Sequence, residues 1–291
     1  MMDETIERIP EEGREGAEDE VRVLRKELEE HIARYDSVIV GFSAGVDSSV
    51  VALAADAALG DRGLIVTAVT ETLTSEDLEL ARSIARNHTL NYLEIEYNEL
   101  EIEGYAENPA NRCFFCKDAL YSRLAALARE RGGAVILDGT NADDEGDYRP
   151  GRKAARDHGV HSPLLELGIS KKMVRDLAQL YGLPNHDKPS APCLSSRVPY
   201  GTEITRDILN QIARAERNLR ELGFRELRVR HHEEVARLEL PREEFSRALA
   251  LADELDQAVR EAGYRYVALD LRGFRSGSLN EVLTQIALPA R

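Results

Sequence analysis

Residues 43–49, Ser43-Ala44-Gly45-Val46-Asp47-Ser48-Ser49, concentrate small side chains and hydroxyls between an apolar run at 37–42 and an alanine-rich stretch at 48–59. Strand, loop and helix in that order turn backbone N–H groups and the positive end of a helix dipole toward an anion. Gly45 permits close backbone approach, while Ser43, Ser48 and Ser49 add hydroxyl donors. Asp47 stands where it could help hold Mg2+ or order the loop. The stretch lacks the Gly-Lys-Ser/Thr ending of a Walker loop, and its plain alternative is a glycine turn capped by serines. The chain has three cysteines, Cys113, Cys116 and Cys193. An odd number without an export signal argues against a disulfide framework and for chemistry.

The elements that position these residues alternate. A helical stripe of Val21, Leu24, Leu28 and Ile32 precedes the first strand. Strands at 64–69, 91–95 and 134–137 then alternate with helices at 75–87 and 113–131. Such alternation implies right-handed crossovers and an α/β fold with a doubly wound, mainly parallel sheet. Ligands on such sheets sit beyond the carboxyl ends of the strands, near the reversal of strand order. The loop at Ser43 and the loop Asp138-Gly139-Thr140-Asn141 both follow strands, so they are expected to share one crevice. A helix at 170–181 leads into a proline-rich segment at 184–200. Beyond it, a helix at 205–222, strands at 225–231 and 234–240, a helix at 242–262 and a strand at 264–271 make a smaller α+β unit. The expected division is an acidic, flexible N-terminus at 1–20, a nucleotide domain at 21–200 and a substrate or oligomerisation domain at 201–291.

Hydrophobic content of 43% with 5% aromatic residues is ordinary for a soluble globular chain. No window approaches the ~20 apolar residues that span a bilayer. The acidic start has neither the basic nor the hydrophobic part of a secretory signal, so a cytoplasmic location is expected. A net charge of −15 opposes non-specific binding to nucleic acid.

In the form Ser-x-Gly-x-Asp-Ser-Ser, the loop resembles the PP-loop of N-type ATP pyrophosphatases. That motif usually reads Ser-Gly-Gly-x-Asp-Ser, and Ala44 replaces its first glycine, a conservative exchange if the position needs no positive φ. The resemblance implies cleavage of ATP between the α- and β-phosphates, transfer of AMP to an acceptor oxygen and release of pyrophosphate. On the loop alone, NAD synthetases, GMP synthetases, argininosuccinate synthetases and tRNA-thiolating enzymes are equally similar. Further motifs decide: Leu137-Asp138-Gly139-Thr140-Asn141-Ala142-Asp143-Asp144, Asp147-Tyr148-Arg149-Pro150-Gly151-Arg152-Lys153-Ala154 and Pro192-Cys193-Leu194-Ser195-Ser196-Arg197-Val198-Pro199-Tyr200-Gly201. Together they resemble the LarE family of ATP-dependent sulfur transferases, which make a nickel-pincer nucleotide, over nearly the whole chain from Arg22 onward.

Membership implies that the carboxylates of pyridinium-3,5-biscarboxylic acid mononucleotide are adenylated and then attacked by a sulfur nucleophile, for which a thiolate suits the activated carbonyl. In simpler members the cysteine matching Cys193 is the sacrificial donor. Cys113 and Cys116 are additional here, and with Cys193 they could ligate three irons of a 4Fe-4S cluster, as in a three-cysteine subset of the family, leaving the fourth open. Zinc would need a fourth ligand from His186 or His88, and a redox pair or incidental helix cysteines remain possible. Arg197 could lower the Cys193 pKa or hold a phosphate. Glu216, Arg228 and Arg230 match family positions lining the substrate and metal pocket. The two arginines alternate along one strand and could grip the substrate phosphate, the plain alternative being an exposed charged face. His231 and His232 point opposite ways and are expected at the surface. Family members tend to assemble as homo-oligomers. A tRNA-thiolating enzyme and a non-catalytic ATP-binding or iron-sulfur carrier are the rivals.

Overall fold

The computed structural model describes residues 11–144, 150–189, 192–275 and 277–281, so Asp147, Tyr148 and Arg149 of the second motif lie outside the described residues. The chain opens with α1 (Glu11–Ile32), β1 (Val38–Gly41), α2 (Val46–Leu59), β2 (Gly63–Val69), α3 (Ser75–Asn87), β3 (Tyr92–Glu96), α4 (Arg112–Glu130) and β4 (Val135–Leu137). Helix α1 begins well ahead of the expected Val21, because its first half is rich in glutamate and arginine, good helix formers. The four strands are all parallel, in the order β3-β2-β1-β4. The reversal of strand order therefore falls between β1 and β4, and the loops after both strands open into the crevice there.

Alternation along β1 sends Val38 and Val40 to one face of the sheet and Ile39 to the other. On the first face they meet Leu28 and Ile32 of α1 and the apolar length of α2. On the second, Ile39, Leu64 and Val66 meet Tyr121, Leu124 and Ala128 of α4. Helix α2 carries buried residues on every side, as a helix enclosed between a sheet and further helices must. Then come α5 (Pro150–Asp157), α6 (Pro163–Glu166) and α7 (Lys171–Leu180). Beside β4, His161 pairs with Leu137 in parallel and covers that edge. Helix α7 starts where the Ser170 side chain accepts the Met173 N–H, and its Val174, Leu177 and Ala178 join the first face.

The C-terminal unit comprises α8 (Arg206–Glu221), β5 (Arg228–His232), β6 (Val235–Glu239), α9 (Phe245–Ala250), α10 (Ala252–Glu261) and β7 (Tyr266–Leu269). Strand β6 is central, antiparallel to β5 and parallel to β7. The helix expected over 242–262 is divided at Leu251 into α9 and α10. An apolar cluster of Tyr105, Leu194, Val198, Ile204, Leu209 and Ile212 seats the Cys193 segment and the start of α8 against residues 99–116. Among the described residues no helix is long and apolar enough to cross a membrane.

Candidate active site

The loop after β1 is built on its carbonyls. Ser48 and Ser49 hydroxyls donate to the Gly45 carbonyl at 3.1 and 2.9 Å, and the Ser49 N–H donates to it at 3.0 Å. The Ser43 N–H donates to Ser48 Oγ at 3.2 Å. Gly45 caps α2 in an extended conformation and offers no side-chain acceptor, so no N-cap side chain occupies the first-turn N–H groups, an arrangement suited to an anion. Ala44 departs from the sequence expectation. Its φ is +54°, so the position does need the left-handed region, and the exchange from glycine is not conservative. For an L-residue that conformation costs on the order of 1–2 kcal/mol, which the surrounding contacts must offset.

The loop after β4 closes on the same helix end. Asp138 accepts from the Thr140 N–H and hydroxyl, both at 3.0 Å, from Ser162 Oγ at 2.7 Å and from Tyr121 OH at 3.1 Å. This full set of donors fixes the turn that carries Gly139, Thr140 and Asn141. Asn141 Nδ2 then donates at 3.0 Å to Asp47 Oδ1, while Lys171 Nζ donates at 2.5 Å to Asp47 Oδ2. Lys171 escaped the sequence reading. It occupies the first position of α7, where a cation opposes the helix dipole; that mismatch was a signal of a role elsewhere.

Cys113 and Cys116 lie in the first turns of α4, and Cys193 caps the 3-10 turn Leu194–Arg197. Cys113 and Cys193 are exposed and all three are free thiols. Protein crowded around the Cys193 sulfur raises its pKa; Cys113 and Glu99 act the same way, while Arg112 and Arg197 oppose them. Burial raises the Cys116 thiol well above its ordinary value, helped by Glu99 and Cys193. The three thiols are thus within one another's electrostatic reach. The Cys116 thiol donates at 3.0 Å to Glu99, a buried carboxylate that also accepts from Thr72 Oγ1 at 2.6 Å. Arg112 is buried beside them, donating to the Ser195 carbonyl at 2.9 Å and to Asn108 Oδ1. As donors the thiols suit an iron-sulfur cluster, but among the described residues no group of three or more His, Cys, Asp or Glu is placed to hold a metal ion.

Arg197 and Glu216 are joined in a buried ion pair, Nε to Oε1 at 2.8 Å. The remaining Arg197 donors reach Ser196 Oγ at 2.9 Å, the Cys193 carbonyl at 3.2 Å and the Pro192 carbonyl. Its fork is thereby committed to shaping the Cys193 turn. Glu216 also receives Arg220 at 2.9 Å and the Val229 N–H at 3.2 Å; Arg197 first, then Arg220 and that N–H, hold its pKa below the ordinary carboxylate value despite burial. Arg228 and Arg230 do share one face of β5, and that face is buried rather than exposed. Arg230 donates to the Ser196 carbonyl at 2.6 Å, to Glu239 at 2.8 Å and to Ser278 at 2.6 Å. Arg228 stacks on Phe274, and burial, then the charges of Arg230 and Arg197, push its pKa down to about 10. Arg228 Nη1 donates to the Arg275 carbonyl at 3.2 Å, and among the described residues no carboxylate forms an ion pair with it. His231 also departs from expectation: it is buried, with Nδ1 3.2 Å from Tyr264 OH, whereas His232 is exposed.

A parallel sheet with a serine-rich loop and a free helix N-terminus at its reversal point defines an α/β enzyme of the PP-loop ATP pyrophosphatase class. Residues 17–134 match the NAD synthase family. An uncharacterised protein of Synechocystis sp. is 44% identical over 261 residues, covering 89% of this chain and 97% of its own. Pyridinium-3,5-bisthiocarboxylic acid mononucleotide synthase of Lactiplantibacillus plantarum is 40% identical over 252 residues, covering 86% of this chain and 91% of its own. One of the subunits of the glutamine-hydrolysing GMP synthase of Methanococcus maripaludis is 30% identical over 197 residues, 62% of this chain and 61% of its own. The chain belongs to the LarE family of pyridinium-3,5-bisthiocarboxylic acid mononucleotide synthases, and is an ATP-dependent sulfur-transferring enzyme.

Proposed function

We propose that this enzyme activates the carboxylates of pyridinium-3,5-biscarboxylic acid mononucleotide with ATP, releases pyrophosphate, and replaces carboxylate oxygen with sulfur delivered at Cys193. The observation that carries this reading is the seating of the Cys193 turn: buried Arg112 donates to its Ser195 carbonyl at 2.9 Å, Cys116 packs in the apolar cluster that holds Leu194, and Arg230 of β5 donates to its Ser196 carbonyl at 2.6 Å. The N–H groups of α2 and the hydroxyls of Ser43, Ser48 and Ser49 receive the ATP phosphates. Asp47 would hold Mg2+, which screens the phosphates, and Lys171 and Asn141 keep that carboxylate oriented. Arg228 and Arg230 receive the mononucleotide phosphate. Adenylation gives the carboxylate a good leaving group, and a sulfur nucleophile displaces AMP.

For the sulfur source we propose the three-cysteine arrangement, with Cys113, Cys116 and Cys193 holding a 4Fe-4S cluster whose open iron would supply a renewable sulfide. Sacrificial donation by Cys193 is the second reading, favoured by the hydrogen bond that engages Cys116 with Glu99. Anaerobic purification with iron and sulfide analysis separates the two. Bound iron and repeated turnover with intact Cys193 are expected. Iron-free protein that transfers one sulfur and keeps dehydroalanine at Cys193 sinks the cluster. Pyrophosphate release that requires the pyridinium substrate checks the activation step, and C193A should retain that release while forming no thiocarboxylate. The net charge of −15 opposes tRNA as the acceptor; tRNA binding at moderate salt would favour a tRNA-thiolating enzyme instead. Assembly of several copies through residues 201–291 belongs to the same proposal, and sedimentation reads it directly.

A further inference from the structure

Asn185 comes from the turn after α7, on the stretch of chain that leads to Cys193, and its side chain is buried. Its Nδ2 donates at 2.9 Å to the Ala44 carbonyl and at 2.9 Å to Ser49 Oγ. A carbonyl can only accept, so the amide orientation is fixed by Ala44. Asn185 Oδ1 is left buried with no partner among the described residues. Such an orphaned acceptor is unfavourable, and a residue of that kind is retained where its other half has a task.

The task is visible in the loop. Ala44 is fully buried and held at φ +54°, a conformation its side chain disfavours. A trans peptide points its carbonyl and the following N–H in opposite directions. With the Ala44 carbonyl bound to Asn185, the Gly45 N–H is turned away from Asn185. With the Gly45 carbonyl bound to Ser48 and Ser49, the Val46 N–H is likewise turned away from those hydroxyls. A carbonyl released from either hold could swing toward the nucleotide and repel it. The turn that carries Asn185 is itself anchored. Arg175 donates to the carbonyls of His186 and Lys188 at 2.8 and 3.1 Å, and Lys188 Nζ reaches Asp77 at 2.6 Å.

We propose that Asn185 is a positioning residue that locks Ala44 in the left-handed conformation and keeps the loop carbonyls turned from the ATP phosphates. The proposal rests on the loop's being the ATP grip. Asn185→Leu keeps the volume and removes the donor, and Asn185→Ala is its companion should the leucine variant fold poorly. Calorimetric titration with Mg-ATP should show affinity weakened about tenfold, equivalent to ~1.4 kcal/mol. The rate of pyrophosphate release at saturating ATP should stay near that of the wild type.

The decisive variant combines N185L with Ala44→Gly. Glycine enters the left-handed region at no steric cost, so the double variant should recover ATP affinity to within about threefold of the wild type. A general structural role for Asn185 would not be rescued by a glycine in the loop. Undiminished affinity in N185L, or failure of A44G to restore it, overturns the proposal. The wild type is titrated alongside. A wild type that ignores ATP overturns the loop reading and this proposal together, whereas wild-type binding with an unaffected N185L overturns this proposal alone.

Discussion

Gly139 sits where two backbones touch. A Cβ there would lie 2.7 Å from the Ser48 nitrogen and 3.0 Å from the Asp47 carbonyl carbon. Backbone atoms cannot swing aside as a side chain can, so Gly139→Ala must part the loop after β4 from the first turn of α2. The expected result is at least ~10-fold weaker ATP binding and a loss of ~1–3 kcal/mol in urea unfolding. ATP affinity equal to wild type would show that this close approach is dispensable. At this scale the sequence carried the loop and its partner well, because small residues between a strand and a helix have few other uses. It hid the conformation of Ala44, since an alanine does not announce its φ. It also hid Asn185, whose partners Ala44 and Ser49 are remote in sequence.

At the scale of elements, α8 and β5 are welded to the Cys193 turn by the Arg197–Glu216 pair, both members nearly inaccessible. Charges out of water gain from each other only while both are present, so removing one is far worse than replacing both. Glu216→Gln is expected to cost ~3–5 kcal/mol in chemical unfolding, and R197M combined with E216M substantially less. Equal losses in the single and double variants would mean that packing rather than charge decides. Sequence alternation placed Arg228 and Arg230 on one face of β5, and that holds. It could not say which face was buried, because arginine is ordinarily exposed, and burial here depends on Phe274, Glu239 and Ser278, which come from later in the chain. The strand orders β3-β2-β1-β4 and β5-β6-β7 were likewise beyond the local pattern, since they are set by how helices cross the sheet.

Across the whole molecule, Arg206–Glu71 and Arg217–Glu76 bridge α8 to the region of α3, but Arg206, Arg217 and Glu76 are well exposed, and such pairs contribute little. The apolar cluster around Tyr105 and Leu194 is the stronger joint. Acid should loosen the chain in two stages. Burial holds the pKa of His231 below the ordinary ~6.5. The neutral form is therefore favoured on folding, and below ~6.5 the unfolded chain binds more protons than the folded one. Stability from this group is complete above ~6.5 and is lost as pH falls toward the folded-state pKa; His232 acts in the same direction. The pKa of Glu216 is held down by Arg197, and that of Asp270 by the Arg272 backbone N–H and then by Arg237 and Arg275; both groups contribute above the ordinary carboxylate range of ~4, losing that contribution as pH falls through their folded values. The net charge of −15 pushes the other way, since acid relieves its self-repulsion. That effect is long-ranged, and at ~0.15 M salt charges more than ~8 Å apart are screened, so the local groups should dominate. Urea midpoints measured from pH 8 to pH 4 at that salt should be level above ~7, decline from ~6.5 and fall more steeply below ~4.5. His231→Phe should shrink the first decline, leaving the part due to His232, and leave the second. A first decline unchanged in that variant would assign it to some other group.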